Sequence, residues 1–595
     1  MREVSGSTIE PLPITAHLLQ PLVERAMREP YRPVAAYRDG DRFVDVTAGE
    51  LFERVRDLAN GLMAIGVQAG DRVALMAHTR LEWILVDYAI LAVGGVTVPI
   101  YETSSAEQLQ WIVSDSEAVA IVVETPEMAN LLSSIRDDVP LCRASYVIDE
   151  GGLEELTRAG EKTDDVLLGR RIGAITTDQL ATIVYTSGTT GRPKGCAITH
   201  GNLRTNVLQN LDAVRSMLEP DDVSLVFLPL AHVFQKIIAL VGMEWGIKLA
   251  FATDVAHLQE EMALVRPTML VAVPRVFEKV FNGAQQKAHA EGHRAIFDKA
   301  VEVAVRWSEN EATGDHHPIN AIEHAALERL VYRKLQAVFG GRMRFAVSGA
   351  APLGERLTHF FNGIGVKIFE GYGLTETSPV LTVNRADAWK PGTVGTPLAS
   401  TSLRIADDGE ILANGPQVFH GYWHNDAATA DAFDEDGWFR TGDIGVLDAG
   451  GFLRITGRKK ELIVTAAGKN VAPAPLEDRL RAHPLISEAV VIGDARPFIS
   501  ALITLDPEAL TAWSAEHGVA DVPTSDLVQN TDLRAAIQFA VDEANRSASR
   551  AESIRKFALL PADLTIANGE LTPTLKVRRA VVEKHYSAVI DQMYR

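Results

Sequence analysis

At 595 residues the chain exceeds a single ordinary core, so two or more domains are expected, and a hydrophobic content of 47% is ample to build them. A net charge of −20 opposes wrapping on nucleic acid, so anionic substrates have to be held by local positive sites against the global field. Cys142 and Cys196 are the only cysteines, which excludes a cysteine metal cluster and fits a reducing cytoplasm, and no apolar stretch reaches the roughly 18 residues a membrane span needs.

Residues 48 to 130 alternate helical patterns with short apolar runs: Leu51 to Ile65, Arg72 to Met76, Leu81 to Val93, then Val96 to Ile100. That rhythm predicts helices on a largely parallel sheet. Next comes Ala181 to Val184, a buried-strand pattern, followed by Tyr185-Thr-Ser-Gly-Thr-Thr-Gly-Arg-Pro-Lys-Gly-Cys196 and a helical pattern from Gly201 to Val214. Gly188, Gly191 and Gly195 free the backbone to form an anion nest, to which the hydroxyls of Thr186, Ser187, Thr189 and Thr190 add donors. Lys194 supplies a mobile positive charge. The residue order is not G-x-x-x-x-G-K-[ST], and no G-x-G-x-x-G follows a strand, so neither common nucleotide fingerprint applies.

The strand–helix alternation returns at Val223 to Phe227, Met269 to Val273, Met343 to Val347 and Lys367 to Phe369. It is interrupted by residues 285 to 338, where Ile296, Ala300, Val303 and Trp307 share one helical face, as do Leu327, Val331, Lys334 or Leu335, and Val338, around a polar break at Glu309 to Pro318. This reads as an inserted helical hairpin whose ordinary role is packing. From about 393 to 457 short runs such as Ser402 to Ile405, Gly409 to Leu412 and Gly451 to Ile455 predict a small β subdomain. Beyond Gly457, Pro475 to Arg481 reads as a helix, Glu488 to Ile492 and Ile499 to Leu505 as strands, and Leu533 to Phe557 as helical. The expected fold is therefore α/β: an N-terminal body over 1–457 of layered parallel sheets with a β subdomain, and a small mobile α+β domain over 458–595.

The glycine-rich loop resembles the signature of the adenylate-forming superfamily of acyl-CoA synthetases, luciferases and adenylation domains. The resemblance continues in the same order through Pro229-Leu-Ala-His232, Gly371-Tyr-Gly-Leu-Thr-Glu376-Thr, Thr441-Gly-Asp443, Gly457-Arg458-Lys459-Lys460 and Leu575-Lys576-Val-Arg-Arg579, and covers nearly the whole chain. The helical insertion, with Val273-Pro-Arg-Val-Phe-Glu-Lys279 before it, resembles the long-chain fatty acyl-CoA synthetase branch.

The resemblance implies ATP and Mg²⁺ as cofactors, coenzyme A as co-substrate and a fatty acid as substrate, with an oligomer and peripheral membrane contact left open. It assigns Lys194, Glu376, His232 and Lys576 to catalysis. ATP would be held by Thr186, Ser187, Gly188, Thr189, Thr190, Gly191, Lys194, Gly349, Ala350, Tyr372, Gly373, Thr375, Asp443, Arg458 and Lys576. Within that set Tyr372 is expected against adenine, Asp443 on the ribose hydroxyls, and Arg458 between ribose and phosphate. Glu376 is a hard oxygen ligand suited to Mg²⁺, with Thr186 beside it. Lys460 is the expected hinge, and Gly468 the glycine lining a pantetheine tunnel. His232 is expected in the acyl pocket. No aspartate suited to an α-amino group accompanies it, and position 236 is a lysine where some long-chain relatives carry a tryptophan gate. Two rival readings stand beside the ligase: an acyl-AMP ligase that loads a carrier protein, and a nucleotide-binding module without turnover.

Overall fold

The computed structural model describes residues 1–186, 192–254, 257–313, 318–466, 469–546, 548–550, 552–572 and 576–595. Among them two large sheets form the body. In the first, the strands Pro33–Asp39, Lys248–Phe251, Val223–Val226, Met269–Ala272, Phe345–Ser348 and Lys367–Gly373 run parallel in that lateral order, with antiparallel strands at both edges. In the second, Leu180–Thr186, Val96–Ile100, Arg72–Met76, Ala120–Val123 and Ala144–Val147 are parallel, and Lys194–Thr199 and Gly421–Tyr422 close one edge antiparallel.

Helices lie between the sheets. Leu81–Ala92 touches strands of both and is buried on every side, which explains why its sequence is apolar all round. Its buried acidic residue, Asp87, is 3% exposed and accepts from Lys236 Nζ at 2.8 Å, the lysine being 2% exposed. Lys236 thus serves a buried ion pair between the helices Leu81–Ala92 and Val233–Trp245.

A third, antiparallel sheet carries the predicted β subdomain, with Ser402–Ile405, Glu410–Asn414, Phe439–Leu447 and Leu453–Arg458 in order; Glu3–Ser5 joins its edge, a pairing across about 400 residues that no local pattern foretells. The smaller C-terminal domain has its own core around Ile486–Ile492 and Ile499–Leu505, with the helices Ala474–Arg481 and Thr531–Asn545 packed on it.

Four expectations need correction. The strand–loop–helix around the glycine-rich loop is strand–loop–strand–helix: Lys194–Thr199 pairs back on Leu180–Thr186 before the helix His200–Val214 begins. The inserted helices begin at Pro274 rather than 285, because Pro274 opens a helix whose N–H groups it does not need to satisfy. Ile296 is 49% exposed, and it is Phe297, Ala300, Val303 and Ala304 that face the core, a shift of one residue in the helical stripe. Finally, the run Leu533 to Phe557 is not one helix: Thr531–Asn545 ends and the strand Ile554–Leu559 follows, parallel to Ile499–Leu505.

Candidate active site

The strand Leu180–Thr186 delivers Thr186 to the mouth of the second sheet, and the register of the hairpin sets Lys194 directly opposite it. Ser187, Gly188, Thr189, Thr190 and Gly191 lie outside the described residues. On the far side of that gap the chain is pinned by Trp111 Nε1, which donates to the Pro193 carbonyl at 2.8 Å, while the Arg192 guanidinium sits 4.7 Å over the Trp111 ring. The Lys194 ammonium lies 4.9 Å over the ring of Tyr422. The same phenol donates to Glu376 Oε1 at 2.8 Å, so Tyr422 holds the loop lysine and the acidic residue on one ring. Nothing in the sequence joins Tyr422 to Glu376, a separation of 46 positions; the Gly421–Tyr422 strand, pairing with Lys194–Thr199, brings them together.

Glu376 stands in the short turn Thr375–Thr377 that follows Lys367–Gly373. Cys196 is buried beneath it. Burial and the Glu376 carboxylate push its thiol well above the usual range, and Thr186 Oγ1 lies 4.0 Å from its sulfur. Thr186 and Glu376 thus border one thiol. Among the described residues no three His, Cys, Asp or Glu groups converge as metal ligands. A single carboxylate with a hydroxyl nearby fits an ion such as Mg²⁺, which shares its shell with phosphates and water.

A second cluster sits at the antiparallel sheet. Thr441 Oγ1 donates to the Ile411 carbonyl at 2.7 Å and accepts from Asp443 N–H at 3.1 Å, and Gly442 turns the chain at a φ of +71°. This aims the Asp443 carboxylate inward, where Oδ2 accepts from Tyr372 Oη at 2.8 Å and Oδ1 from Arg458 Nε at 2.8 Å. Asp443 and Arg458 face each other in the register of Phe439–Leu447 and Leu453–Arg458. Burial, together with Asp443, drives the Tyr372 phenol far above its ordinary range, so it remains a donor. Gly373 is held so close to the next strand that a Cβ there would lie 1.8 Å from the Pro379 carbonyl oxygen. Gly349 lies beyond the strand Phe345–Ser348, where a Cβ would stand 2.9 Å from the Phe234 ring. Ala350 follows it at a φ of +71°, a conformation that L residues seldom adopt.

His232 caps the N-terminus of the helix Val233–Trp245. Its Nδ1 accepts from Phe234 N–H at 3.1 Å, which puts the ring proton on Nε2. Burial, and after it the Lys576 ammonium, lower its pKa to about 3. The imidazole is neutral.

Lys576 reaches this cleft from the C-terminal domain. Its side chain is exposed to the cleft yet walled by protein, and this desolvation, aided by Arg458, lowers its pKa while Asp443 and Glu461 oppose the shift. The structure thus brings Lys576, Arg458, Asp443 and His232 together. Lys460 is exposed, in the turn Lys459–Glu461. Its neighbour Lys459 is tied to the body by Asp408 and Glu410 at 2.6 and 2.9 Å. Gly468 and Leu575 lie outside the described residues.

The family model described as AMP-binding enzyme matches residues 22–423, and that of the AMP-binding enzyme C-terminal domain matches residues 460–595. The chain is 50% identical over 556 residues to the long-chain-fatty-acid–CoA ligase FadD15 of Mycobacterium tuberculosis, covering 93% of this chain and 92% of that one. It is 30% identical over 581 residues to the peroxisomal long chain acyl-CoA synthetase 7 of Arabidopsis thaliana, covering 92% and 81%. Among solved structures, ATP-bound MatB from Rhodopseudomonas palustris superposes with a TM-score of 0.71 at 25% identity, over 97% of this chain and all of that one. With both parts of the chain matched, this protein belongs to the AMP-binding enzyme family.

Proposed function

We propose that this chain is an ATP-dependent long-chain fatty acid:CoA ligase that forms AMP. The chemistry rests on one observation: Lys576 of the C-terminal domain meets the Asp443–Arg458 pair beside the neutral His232. The substrate class rests on relatives named as long-chain ligases that match almost end to end.

In the first half-reaction a carboxylate oxygen attacks the α-phosphorus and the bond to pyrophosphate breaks. Two anions have to approach, so positive charge must stand where charge accumulates. Lys576 and Lys194 supply it, the first from above and the second from beside the nucleotide loop formed by Thr186, Ser187, Gly188, Thr189, Thr190 and Gly191. Asp443, oriented by Arg458 and Tyr372, accepts hydrogen bonds from the ribose hydroxyls. Gly349, Ala350, Tyr372, Gly373 and Thr375 line the purine side. His232, proton on Nε2, donates to the carboxylate or the acyl oxygen without adding a charge of its own. Glu376 and Thr186 would hold Mg²⁺. Bound there, the ion supplies charge neutralisation for the triphosphate.

In the second half-reaction the CoA thiol attacks the acyl carbonyl and AMP leaves. One lysine cannot cover the phosphates and also vacate the thiol path, so the domain spanning 458–595 turns against the body spanning 1–457. Lys460, free beside the anchored Lys459, is the pivot, and Gly468 lines the path of the thiol.

The test is release of pyrophosphate and AMP by the purified protein with ATP, Mg²⁺ and CoA, across acids from acetate to long chains. A maximum at long chains that needs CoA for multiple turnover is expected. Pyrophosphate release without CoA dependence would point to a carrier protein, and ATP bound but never cleaved would overturn the ligase.

A further inference from the structure

The helix Pro274–Ala290 belongs to the body, but its first turn abuts the C-terminal domain. Arg275 Nη2 donates to Ser487 Oγ at 2.9 Å and lies 3.7 Å from Asp506 Oδ2, both across the domain boundary. Its Nη1 is 3.6 Å from Glu278, one turn along the same helix. Ser487 in turn donates to Asp563 Oδ2 at 2.6 Å, and Thr504 donates to Oδ1 at 2.6 Å. A body guanidinium is therefore seated in a socket whose walls are carboxylates.

The surroundings make that seat electrostatically unbalanced. Asp478 and Arg481 come from the helix Ala474–Arg481 and Glu488 from the strand Ile486–Ile492; Arg481 bonds Asp478 and lies 3.5 Å from Glu488. Glu477 is engaged by Arg579 at 2.6 Å. Glu278, Asp478, Glu488, Asp506 and Asp563 thus surround Arg275 and Arg481, and the Glu278 charge acts on both Asp478 and Glu488. Burial first, then these like charges, pushes Asp478 and Glu488 up to about 7. The body helix thus carries a guanidinium bonded to the domain and, three residues on, a carboxylate 3.6 Å away that competes for it; Glu278 faces Asp478 and Glu488 as a like charge and Arg481 as an opposite one.

We propose that Arg275 is a positioning residue that docks the C-terminal domain with Lys576 over the nucleotide site, and that Glu278 weakens this dock so the domain can leave. The proposal rests on the ligase reading above. A contact strong enough to be permanent would trap the enzyme after the first half-reaction; a charged pair with an adjacent like charge holds and releases.

The test uses the full chain with spin labels on Asp407→Cys and Ser525→Cys, one exposed position on each part, and reads inter-label distances alongside the two half-reactions. Arg275→Ala should broaden the distance distribution and slow acyl-AMP formation about tenfold, while CoA transfer from supplied acyl-AMP stays within about twofold. Arg275→Lys should recover part of both. Glu278→Gln should sharpen the distribution and slow the CoA step instead, so the idea stays testable if Arg275→Ala folds poorly. Unchanged distances in both variants, or equal losses in both half-reactions, overturn it. If the wild type makes no acyl-AMP from any acid, the ligase reading fails, while the distances still decide whether Arg275 docks the domain.

Discussion

The Asp443 cluster and the domain interface are both built from arginine and carboxylate, yet they are made in opposite ways. In the cluster Asp443 is buried, and each carboxylate oxygen has one donor, Tyr372 and Arg458, fixed by an antiparallel register. At the interface Arg275 meets more carboxylates than it can neutralise, and two of them sit near their neutral point. A site that must be ready before substrate arrives is preorganised; a contact that must be made and broken in each cycle is left short of balance.

The largest effect is expected at the buried ion pair inside the body. Lys236→Met should cost about 3–5 kcal/mol of stability in chemical denaturation by leaving Asp87 buried and unpaired. Adding Asp87→Leu should restore most of it, and a small loss in the single variant would mean the body is as tolerant as the interface. Lys576→Ala should slow acyl-AMP formation about a hundredfold or more, and leave CoA transfer from supplied acyl-AMP nearly intact. Equal loss of both steps would make Lys576 part of the fixed site rather than a delivered group. Tyr422→Phe removes the bond to Glu376 but keeps the ring under Lys194, so calorimetry should show ATP binding weakened by about 1 kcal/mol in the presence of Mg²⁺ and unchanged in its absence.

Acidity separates the two regions further. Asp478 and Glu488 move from ordinary values of 3.8 and 4.5 up to about 7, so the native state binds more protons than the unfolded chain across that interval. Their contribution to stability is therefore greatest below about pH 4 and is lost as pH rises through 7. Asp478→Asn should flatten that slope in pH-dependent unfolding; an unaltered slope would deny the group its raised value. The smallest expected change is none: the His232 ring resonances should not move between pH 8 and pH 5, because the imidazole titrates near 3. A midpoint near 6.5 would show a cleft more open to water than this one.

Much of the site was legible in the sequence because adenylating chemistry demands recognisable local chemistry. A glycine and hydroxyl loop with a lysine is a short-range pattern, as are a glutamate behind Gly-Tyr-Gly and an aspartate behind Thr-Gly, and the geometry of the last two is made by their own turns. Tyr422 carried no such signal, and the motif Val273 to Lys279 that holds Arg275 pointed to a branch of the family but not to a contact across the domain boundary. A tyrosine after glycine and an arginine after proline are ordinary in isolation, and their partners lie 46 and 212 residues away.

By itself the sequence determined the element rhythm, the order of the motifs and the separation into a large α/β body and a small α+β unit, since helix and strand periodicity and turn chemistry act over a few residues. Tertiary structure alone decided that Glu3–Ser5 completes a sheet begun at Ser402, that Lys236 is an ion-pair partner rather than a surface charge, and that Lys576 meets Asp443 across a domain boundary. These depend on burial and on which surfaces pack, and the free energy of a charge is set by the groups that surround it rather than by its neighbours in the chain.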